Sequence, residues 1–173
     1  TYNRSDCQYL SEEQHLDAPN VLNCISQNLS DLSDSVRSSD ASRKGRVFDT
    51  SKVSAHHAII PTESVVDFAK LSNDEAKVYR LIAVSYLAQF YPDYEYIQTK
   101  IEIDVGGYQF AVTANIPTVQ GWKVLFSNEP ETDESEQDQE SQLDLRQIKQ
   151  DDLGICSNTK VKQEATKPLP LYT

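Results

Sequence analysis

Two short segments of the sequence contain side chains that can act on a phosphate. The first is Thr1-Tyr2-Asn3-Arg4-Ser5-Asp6-Cys7, where a tyrosine stands two residues before an arginine. A free tyrosine has a pKa of about 10, so its attack on phosphorus needs a group that stabilises the phenolate. The planar guanidinium of Arg4 suits both the phenolate and the phosphate oxygens. On spacing alone, ordinary polar surface sequence remains the favoured interpretation of this segment.

The second segment runs from Ser54 to Thr62 and contains two of the three histidines of the chain. Three interpretations remain open on spacing: hydrogen-bonded structural histidines, a metal pair, or a histidine that donates to a phosphate. The metal pair is disfavoured, because adjacent side chains such as His56 and His57 rarely converge on one ion. No nearby carboxylate or cysteine completes a ligand set either. In the phosphate interpretation, the apolar Ile59-Ile60-Pro61 run holds the histidine in place.

Composition excludes some classes of function. The 173 residues include 16 Lys and Arg against 27 Asp and Glu, giving a net charge of -11. A protein that coats DNA non-specifically would need an excess of basic residues. The three cysteines lack CxxC spacing, which disfavours a zinc site or a disulfide framework and favours the cytoplasm. No apolar run is long enough to span a membrane. Because methionine is absent and the chain begins at Thr1, we expect a piece of a longer protein.

The first half of the chain predicts helices. Ser11 to Gln14 forms a capping-box pattern. Pro19 is expected to start a helix. One apolar face of that helix comprises Val21, Leu22, Ile25, Leu29 and Leu32. The serine-rich residues 33–46 are expected to form a mobile basic loop. The clearest helix is expected near Asn73 to Phe90, capped by Ser72 or Asn73.

The second half predicts an antiparallel sheet, so that the whole fold is expected to be α+β. Apolar and polar residues alternate from Tyr96 to Val105. Gly106-Gly107 suits a tight hairpin turn, and Tyr108 to Ile116 is expected to return as the partner strand. Gly121 to Phe126 predicts a third short strand. Beyond an acidic run that cannot bury anything, one or two further strands are expected within residues 154–165.

Taken together, the two segments resemble the type IA DNA topoisomerases, and topoisomerase III more than topoisomerase I. Thr1-Tyr2-Asn3-Arg4-Ser5-Asp6 matches the tyrosine motif T-Y-x-R-[ST]-D of that family. Ala55 to Pro61 matches its A-H-x-A-I-x-P segment, and the double histidine is the topoisomerase III-like form. Three further motifs follow in the expected order, namely Val78 to Ala83, Gly121-Trp122 and Thr166-Lys167-Pro168. The ordered set therefore covers nearly the whole chain.

The resemblance implies roles for individual residues. Tyr2 would be the nucleophile that forms a 5′-phosphotyrosine link, Arg4 would polarise the scissile phosphate, and His56 would hydrogen-bond a phosphate nearby. We further expect Ser5 and His57 to contact nucleic acid. The basic cluster comprises Arg37, Arg43, Lys44, Arg46 and Lys52, and the last four are the expected phosphate contacts. A solvated charged loop is an equally weighted interpretation of this cluster.

The resemblance also implies a division of the chain and partners outside it. Residues 1–92 would form the helical domain that carries the tyrosine. Residues 93–173 would form the second half of a β-rich hinge, with an acidic loop at 127–145. The substrate would be single-stranded DNA. Mg²⁺ would be required in the full-length enzyme, but its ligands belong to a Toprim domain that this sequence lacks, as it lacks the C-terminal helical region. The chain alone is expected to be monomeric and inactive, and no metal site is expected within it.

Several positions depart from the family pattern, and other functions remain open. Asn3 stands where topoisomerase III often has proline, Leu169 replaces the second proline of a Pro-Pro pair, and the acidic run from Glu129 to Glu140 is expected to be an insertion.

The main alternative is a non-enzymatic interaction module whose acidic loop binds a basic partner. A histidine-based phosphotransfer or nuclease fragment ranks last, because the sequence lacks the paired carboxylates or metal ligands for that chemistry.

Overall fold

The computed structural model describes residues 5–126, 145–155 and 158–159, apart from the side chain of Arg146. Within these ranges the chain forms α1 (Glu12–Leu16), α2 (Ala18–Asn28), α3 (Ser33–Ser38) and α4 (Asn73–Leu87), followed by strands β1 (Glu95–Val105) and β2 (Tyr108–Val119). Short 3₁₀ turns lie at Ser30–Leu32, Thr50–Lys52, Phe68–Lys70, Ala88–Phe90, Gly121–Phe126 and Leu145–Gln147. Helices together with a two-stranded antiparallel sheet confirm the predicted α+β class.

Capping boxes start α1 and α4; the sequence predicted the box at Ser11 and, for α4, a cap at Ser72 or Asn73. The Ser11 hydroxyl accepts from the Gln14 amide at 3.3 Å, and the Gln14 side chain accepts from the Ser11 amide at 2.8 Å. Ser72 and Glu75 repeat this reciprocal pair at the start of α4. Each pair satisfies backbone donors that no helical carbonyl can reach, so both helix starts are fixed by local sequence.

The core lies between α2 and α4. Ile25 of α2, Leu87 of α4 and Phe90 just beyond it are completely buried. The predicted apolar face of α2 is confirmed, since Val21, Leu22, Ile25, Leu29 and Leu32 all lie in this core. The helix itself is shorter than predicted, because α2 ends at Asn28 and residues 30–32 continue as a 3₁₀ turn. Burying these side chains is the main source of stability for the helical half.

The predicted mobile loop at residues 33–46 is wrong over its first part, which forms α3. Val36 packs against the core, and the Tyr91 hydroxyl donates to the Ser35 carbonyl at 2.7 Å. The following turn is held by the Asp40 amide, which donates to the Phe90 carbonyl at 3.0 Å. Serine-rich composition predicted a loop, but tertiary contacts override such weak local preferences.

The hairpin of β1 and β2 is confirmed with the predicted turn. Gly106 and Gly107 both have positive φ, at 61° and 89°, which side chains other than glycine rarely adopt. Register is regular from the turn back to Tyr96, which pairs with Pro117. The register shifts between Tyr96 and Glu95, so the proline lies at an irregular point where a missing N–H is tolerated.

The predicted third strand at Gly121 to Phe126 is wrong, because these residues form a 3₁₀ helix. Gly121 has φ of 49°, which turns the chain out of the sheet. The Trp122 amide then donates to the Pro92 carbonyl at 3.0 Å, and this bond closes the base of the hairpin. A backbone donor committed to a turn cannot enter a sheet ladder.

Other expectations fall partly or wholly outside the described residues. The acidic run from Glu129 to Glu140 lies outside them. Of the further strands expected within residues 154–165, the described positions 154–155 and 158–159 contain none, and the rest lies outside. Among the described residues, no helix has the length and hydropathy needed to cross a bilayer.

Candidate functional site

The segment that follows the tyrosine motif is joined to the loop that carries the histidines. Leu10 forms a parallel bridge with Phe48, and its amide donates to the Val47 carbonyl at 2.8 Å. The Ala58 amide donates to the Tyr9 carbonyl at 2.9 Å. Leu10 is almost completely buried, so this junction is anchored in the core. We call residues 5–10 together with residues 47–58 the clasp.

Ser5 connects the N-terminal end of the clasp to the double histidine. Its hydroxyl donates to the His57 carbonyl at 2.8 Å, across 52 positions of sequence. The same oxygen accepts from the Cys7 amide at 3.3 Å, which stabilises a turn in the segment. The chain fold therefore brings the last described part of the tyrosine motif next to the histidine segment. Tyr2 and Arg4, the predicted nucleophile and its neighbouring cation, lie outside the described residues.

The two histidines differ in their surroundings, although both are exposed. His57 Nδ1 lies 2.6 Å from the Ala58 carbonyl oxygen. Because a carbonyl only accepts, this geometry assigns the ring proton to Nδ1 and leaves Nε2 outward. His56 has no hydrogen bond or ion pair to any described residue, so both of its ring nitrogens are available to a ligand. Ile60 packs on the core and Pro61 is buried, whereas Ile59 is 55% exposed, so only part of the predicted apolar run supports the histidine segment.

A shallow cleft of about 270 Å³ lies within the clasp. Its lining residues come from both segments of the clasp, namely Asp6, Cys7, Gln8, Tyr9, Lys52 and Ser54. The Lys52 ammonium lies 4.9 Å from the centre of the Tyr9 ring, a distance typical of a cation–π contact. The Cys7 thiol lies 3.7 Å from the Lys52 carbonyl oxygen and 3.6 Å from that of Tyr9. The cleft thus contains the cation of Lys52 and lies within the clasp that also carries the histidines.

Most cations of the predicted basic cluster are paired with acids. Arg43 contacts Asp93 at 3.1 Å, and Lys44 contacts Glu12 at 2.7 Å. These pairs are partly or largely exposed, so each contributes little to stability and can be opened by a competing anion. Arg46 is exposed and makes no ion pair with any described residue. It is therefore the most available cation of this cluster for a phosphate.

Lys52 is held by a carboxylate that is itself kept charged. Its ammonium lies 3.1 Å from an Asp49 oxygen, and this hydrogen bond is the main cause of a raised Lys52 pKa. The positive charge of Arg46 acts in the opposite direction. The Ser51 hydroxyl donates to Asp49 at 2.6 Å and is the main cause of a lowered pKa of that carboxyl. Lys52 is consequently cationic at neutral pH, and its ammonium is paired with Asp49.

One residue that positions this region was not predicted from the sequence. Asn28, at the end of α2, donates to the Ser64 carbonyl at 3.1 Å and to the Tyr79 hydroxyl at 2.7 Å. Its side-chain oxygen accepts from the Val66 amide at 2.9 Å. These bonds fix the loop after the histidine segment to both core helices. The sequence signal available for this role was a polar asparagine at the last position of a helix that has an apolar face.

Among the described residues, no group of three or more His, Cys, Asp or Glu side chains is arranged to hold a metal ion. Several of the described acids lie in ion pairs or helix caps, as in the pairs of Asp49 with Lys52 and of Glu75 with Ser72.

Comparison with known proteins identifies the family. The family model described as DNA topoisomerase matches residues 1–173. The chain belongs to the DNA topoisomerase family. It is 37% identical to DNA topoisomerase 3 of Vibrio cholerae and 35% identical to that of Pasteurella multocida, over the whole chain and 26% of each relative. It is 41% identical to DNA topoisomerase 3 of Bacillus subtilis over 73% of the chain and 17% of the relative.

These similarities confirm the predicted resemblance to bacterial topoisomerase III. This topoisomerase chain spans about a quarter of the length of the first two relatives. The roles of Tyr2, Arg4 and His56, and the DNA contacts of Ser5, His57 and the basic cluster, stay predictions.

Proposed function

We propose that this chain carries the tyrosine half of a type IA topoisomerase active site. The single observation that carries the proposal is the hydrogen bond from Ser5 to the His57 carbonyl, at 2.8 Å. It joins two segments that are far apart in sequence and that, as the family resemblance implies, would act on one phosphate. Three residues of extended chain span at most about 11 Å. This length allows Tyr2 and His56 to reach a common phosphate.

In the proposed reaction, the Tyr2 phenol loses its proton and its oxygen attacks a phosphorus of single-stranded DNA. The bond from phosphorus to the 3′ oxygen breaks, and that oxygen takes up a proton to leave as a hydroxyl. The phosphate remains on Tyr2 as a 5′-phosphotyrosine. Arg4 favours the phenolate and stabilises charge on the phosphate oxygens. His56 donates to a phosphate oxygen through a free ring nitrogen.

Religation reverses these steps once another strand has passed, so relaxation and decatenation need no other energy source. The 3′ hydroxyl attacks the phosphotyrosine, the phosphodiester reforms, and Tyr2 leaves and recovers its proton. The resemblance implies Mg²⁺ in the full-length enzyme, held by acids of a Toprim domain that lies outside this chain. We therefore propose that residues 1–173 alone cleave no DNA.

The proposed division at residue 92 is supported by the hairpin surface. Residues 1–92 would form the tyrosine-bearing domain, and residues 93–173 one half of a β-rich hinge. One face of the hairpin is apolar, and Ile103, Tyr108 and Phe110 on it are 48–75% exposed. A sheet face of this kind is usually covered. The other half of the hinge, in the remainder of the full-length protein, would cover it.

The decisive experiment traps the covalent intermediate. The full-length protein is incubated with Mg²⁺ and an end-labelled single-stranded oligonucleotide, and adducts are trapped with detergent. We expect a 5′-linked adduct that Tyr2→Phe abolishes. Tyr9→Phe is the matched control, because it keeps the ring under Lys52 and removes a nearby hydroxyl. An adduct that survives in Tyr2→Phe contradicts the assignment.

If the folded wild-type protein binds the oligonucleotide but forms no adduct, the topoisomerase reaction is refuted. The interaction module would then replace it. The same assay on residues 1–173 is expected to give neither adduct nor nick, and a Mg²⁺-dependent nick would refute the proposed inactivity of this chain.

A further inference from the structure

The Ser5 hydroxyl occupies a position that the predicted DNA contact does not explain. Its proton is committed to the His57 carbonyl, and its oxygen accepts from the Cys7 amide. A hydroxyl has one proton to donate. A phosphate could take that proton only by displacing the bond to His57. The side chain is thus engaged within the protein, at the point where the tyrosine motif meets the histidine segment.

We infer that Ser5 is a positioning residue for the cleavage reaction, which fixes the backbone of the tyrosine motif relative to His56. Ser5 directly follows Arg4 and lies three residues from Tyr2, while its acceptor belongs to the residue next to His56. Its side chain therefore links, through one bond, the two segments that must converge on a phosphate. This inference rests on the proposed function and names a residue through which that site is aligned.

The other contacts of the clasp explain why this bond can be tested without unfolding the chain. The Ala58 amide to the Tyr9 carbonyl, and the bridge of Leu10 with Phe48, use backbone atoms and lie closer to the core. They remain when the Ser5 hydroxyl is removed. Loss of the hydroxyl frees only the end of the clasp next to the tyrosine motif.

Catalysis depends strongly on such alignment. A displacement of about 1 Å can slow a reaction about 100-fold, and a single exposed hydrogen bond corresponds to a smaller factor. We expect Ser5→Ala to slow adduct formation about 3- to 10-fold. The dissociation constant for single-stranded DNA and the melting temperature should stay unchanged, because the hydroxyl contributes to alignment and not to DNA contact or to the core.

The test measures single-turnover adduct formation by the full-length protein, with DNA binding and thermal unfolding measured in parallel. Ser5→Thr keeps the hydroxyl and should restore the rate. Ser42→Ala is the matched control, since it removes a serine hydroxyl that donates to Asp40 at 2.6 Å, outside the clasp. It should leave the rate unchanged.

The inference is overturned if Ser5→Ala forms adduct at the wild-type rate, or if its DNA affinity falls in proportion to the rate, which would indicate a direct DNA contact. It is also overturned if Ser5→Thr is as slow as Ser5→Ala. These outcomes require an active wild-type protein. A wild-type protein that forms no adduct instead refutes the proposed function, and this inference with it.

Discussion

Tyr86 presents a buried hydroxyl without a partner, and its removal should raise stability. The residue is 3% exposed, and its hydroxyl forms no hydrogen bond to any described residue. Burial, with a smaller contribution from the charge of Asp17, raises the pKa of Tyr86 to about 12. A buried unpaired hydroxyl costs about 1–3 kcal/mol. Tyr86→Phe should therefore increase the free energy of unfolding by about 1 kcal/mol at pH 7. The ring contact with Phe90 would be kept.

The raised pKa also predicts the behaviour at alkaline pH. In the unfolded chain the phenol titrates near its ordinary value of about 10, so between pH 10 and 12 the unfolded state loses its proton first. The unfolded state is thereby stabilised, and the free energy of unfolding falls as the pH rises. At pH 11 this effect of Tyr86 amounts to about 1.4 kcal/mol. Tyr86→Phe should abolish that part of the alkaline decline.

Urea unfolding followed by circular dichroism, at pH 7 and pH 11, measures both effects. Tyr91→Phe is the matched control, since the Tyr91 hydroxyl donates to the Ser35 carbonyl at 2.7 Å. Its removal should lower stability at pH 7 by about 0.5–1.5 kcal/mol, opposite in sign to the change at Tyr86. If Tyr86→Phe instead lowers the free energy of unfolding by about 1 kcal/mol, the hydroxyl has a partner and the reasoning is refuted.

Three further predictions concern other parts of the chain. Gly121→Ala should lower the free energy of unfolding, measured with urea, by about 1–3 kcal/mol or more. The reason is that φ is 49° and a Cβ would lie 2.4 Å from two backbone carbonyl oxygens. An unchanged free energy of unfolding would contradict this packing. Asn28→Ala should lower the free energy of unfolding by about 1–3 kcal/mol and speed hydrogen exchange of the Val66 amide, which donates to Asn28. Unaltered exchange at Val66 would contradict the anchoring role of Asn28. Arg46→Gln should reduce the salt slope of single-strand binding by about 0.7 in the full-length protein. The control Arg37→Gln, whose arginine pairs with Asp34, should leave the slope unchanged; equal slopes in both variants would contradict a phosphate contact at Arg46.

The sequence predicted correctly those elements whose structure depends on interactions between residues close together in the chain. The capping box at Ser11, the cap at Ser72 and the turn at Gly106 follow from hydrogen bonds and dihedral preferences within a few residues. Patterns that span only a few residues can be recognised in the sequence without knowledge of the fold. The two wrong predictions, at α3 and at residues 121–126, fail where a distant contact decides. Tyr91 holds Ser35 in one case, and the Pro92 carbonyl holds Trp122 in the other.

The site was predictable to a different extent. Motif order identified Tyr2, Arg4 and His56 as candidates, but spacing gave no reason for Ser5 to meet His57. Five residues after Ser5, Leu10 is buried in the core and forms a parallel bridge with Phe48, which anchors this segment. A buried residue that lies outside a helix or strand carries no periodic signal. Its effect therefore became visible only in the folded chain.

The hairpin shows why a correct local prediction can leave tertiary structure open. Its alternation places apolar side chains on one face, where Ile103 pairs with Phe110 and Val105 with Tyr108. Ala114 is the one fully buried position of the two strands, so most of that face is uncovered by the described residues. A two-stranded hairpin gains little stability without a layer against its apolar face. The alternation of apolar and polar residues thus predicts that another layer covers the apolar face. It does not predict which residues form that layer, because they lie outside the two strands.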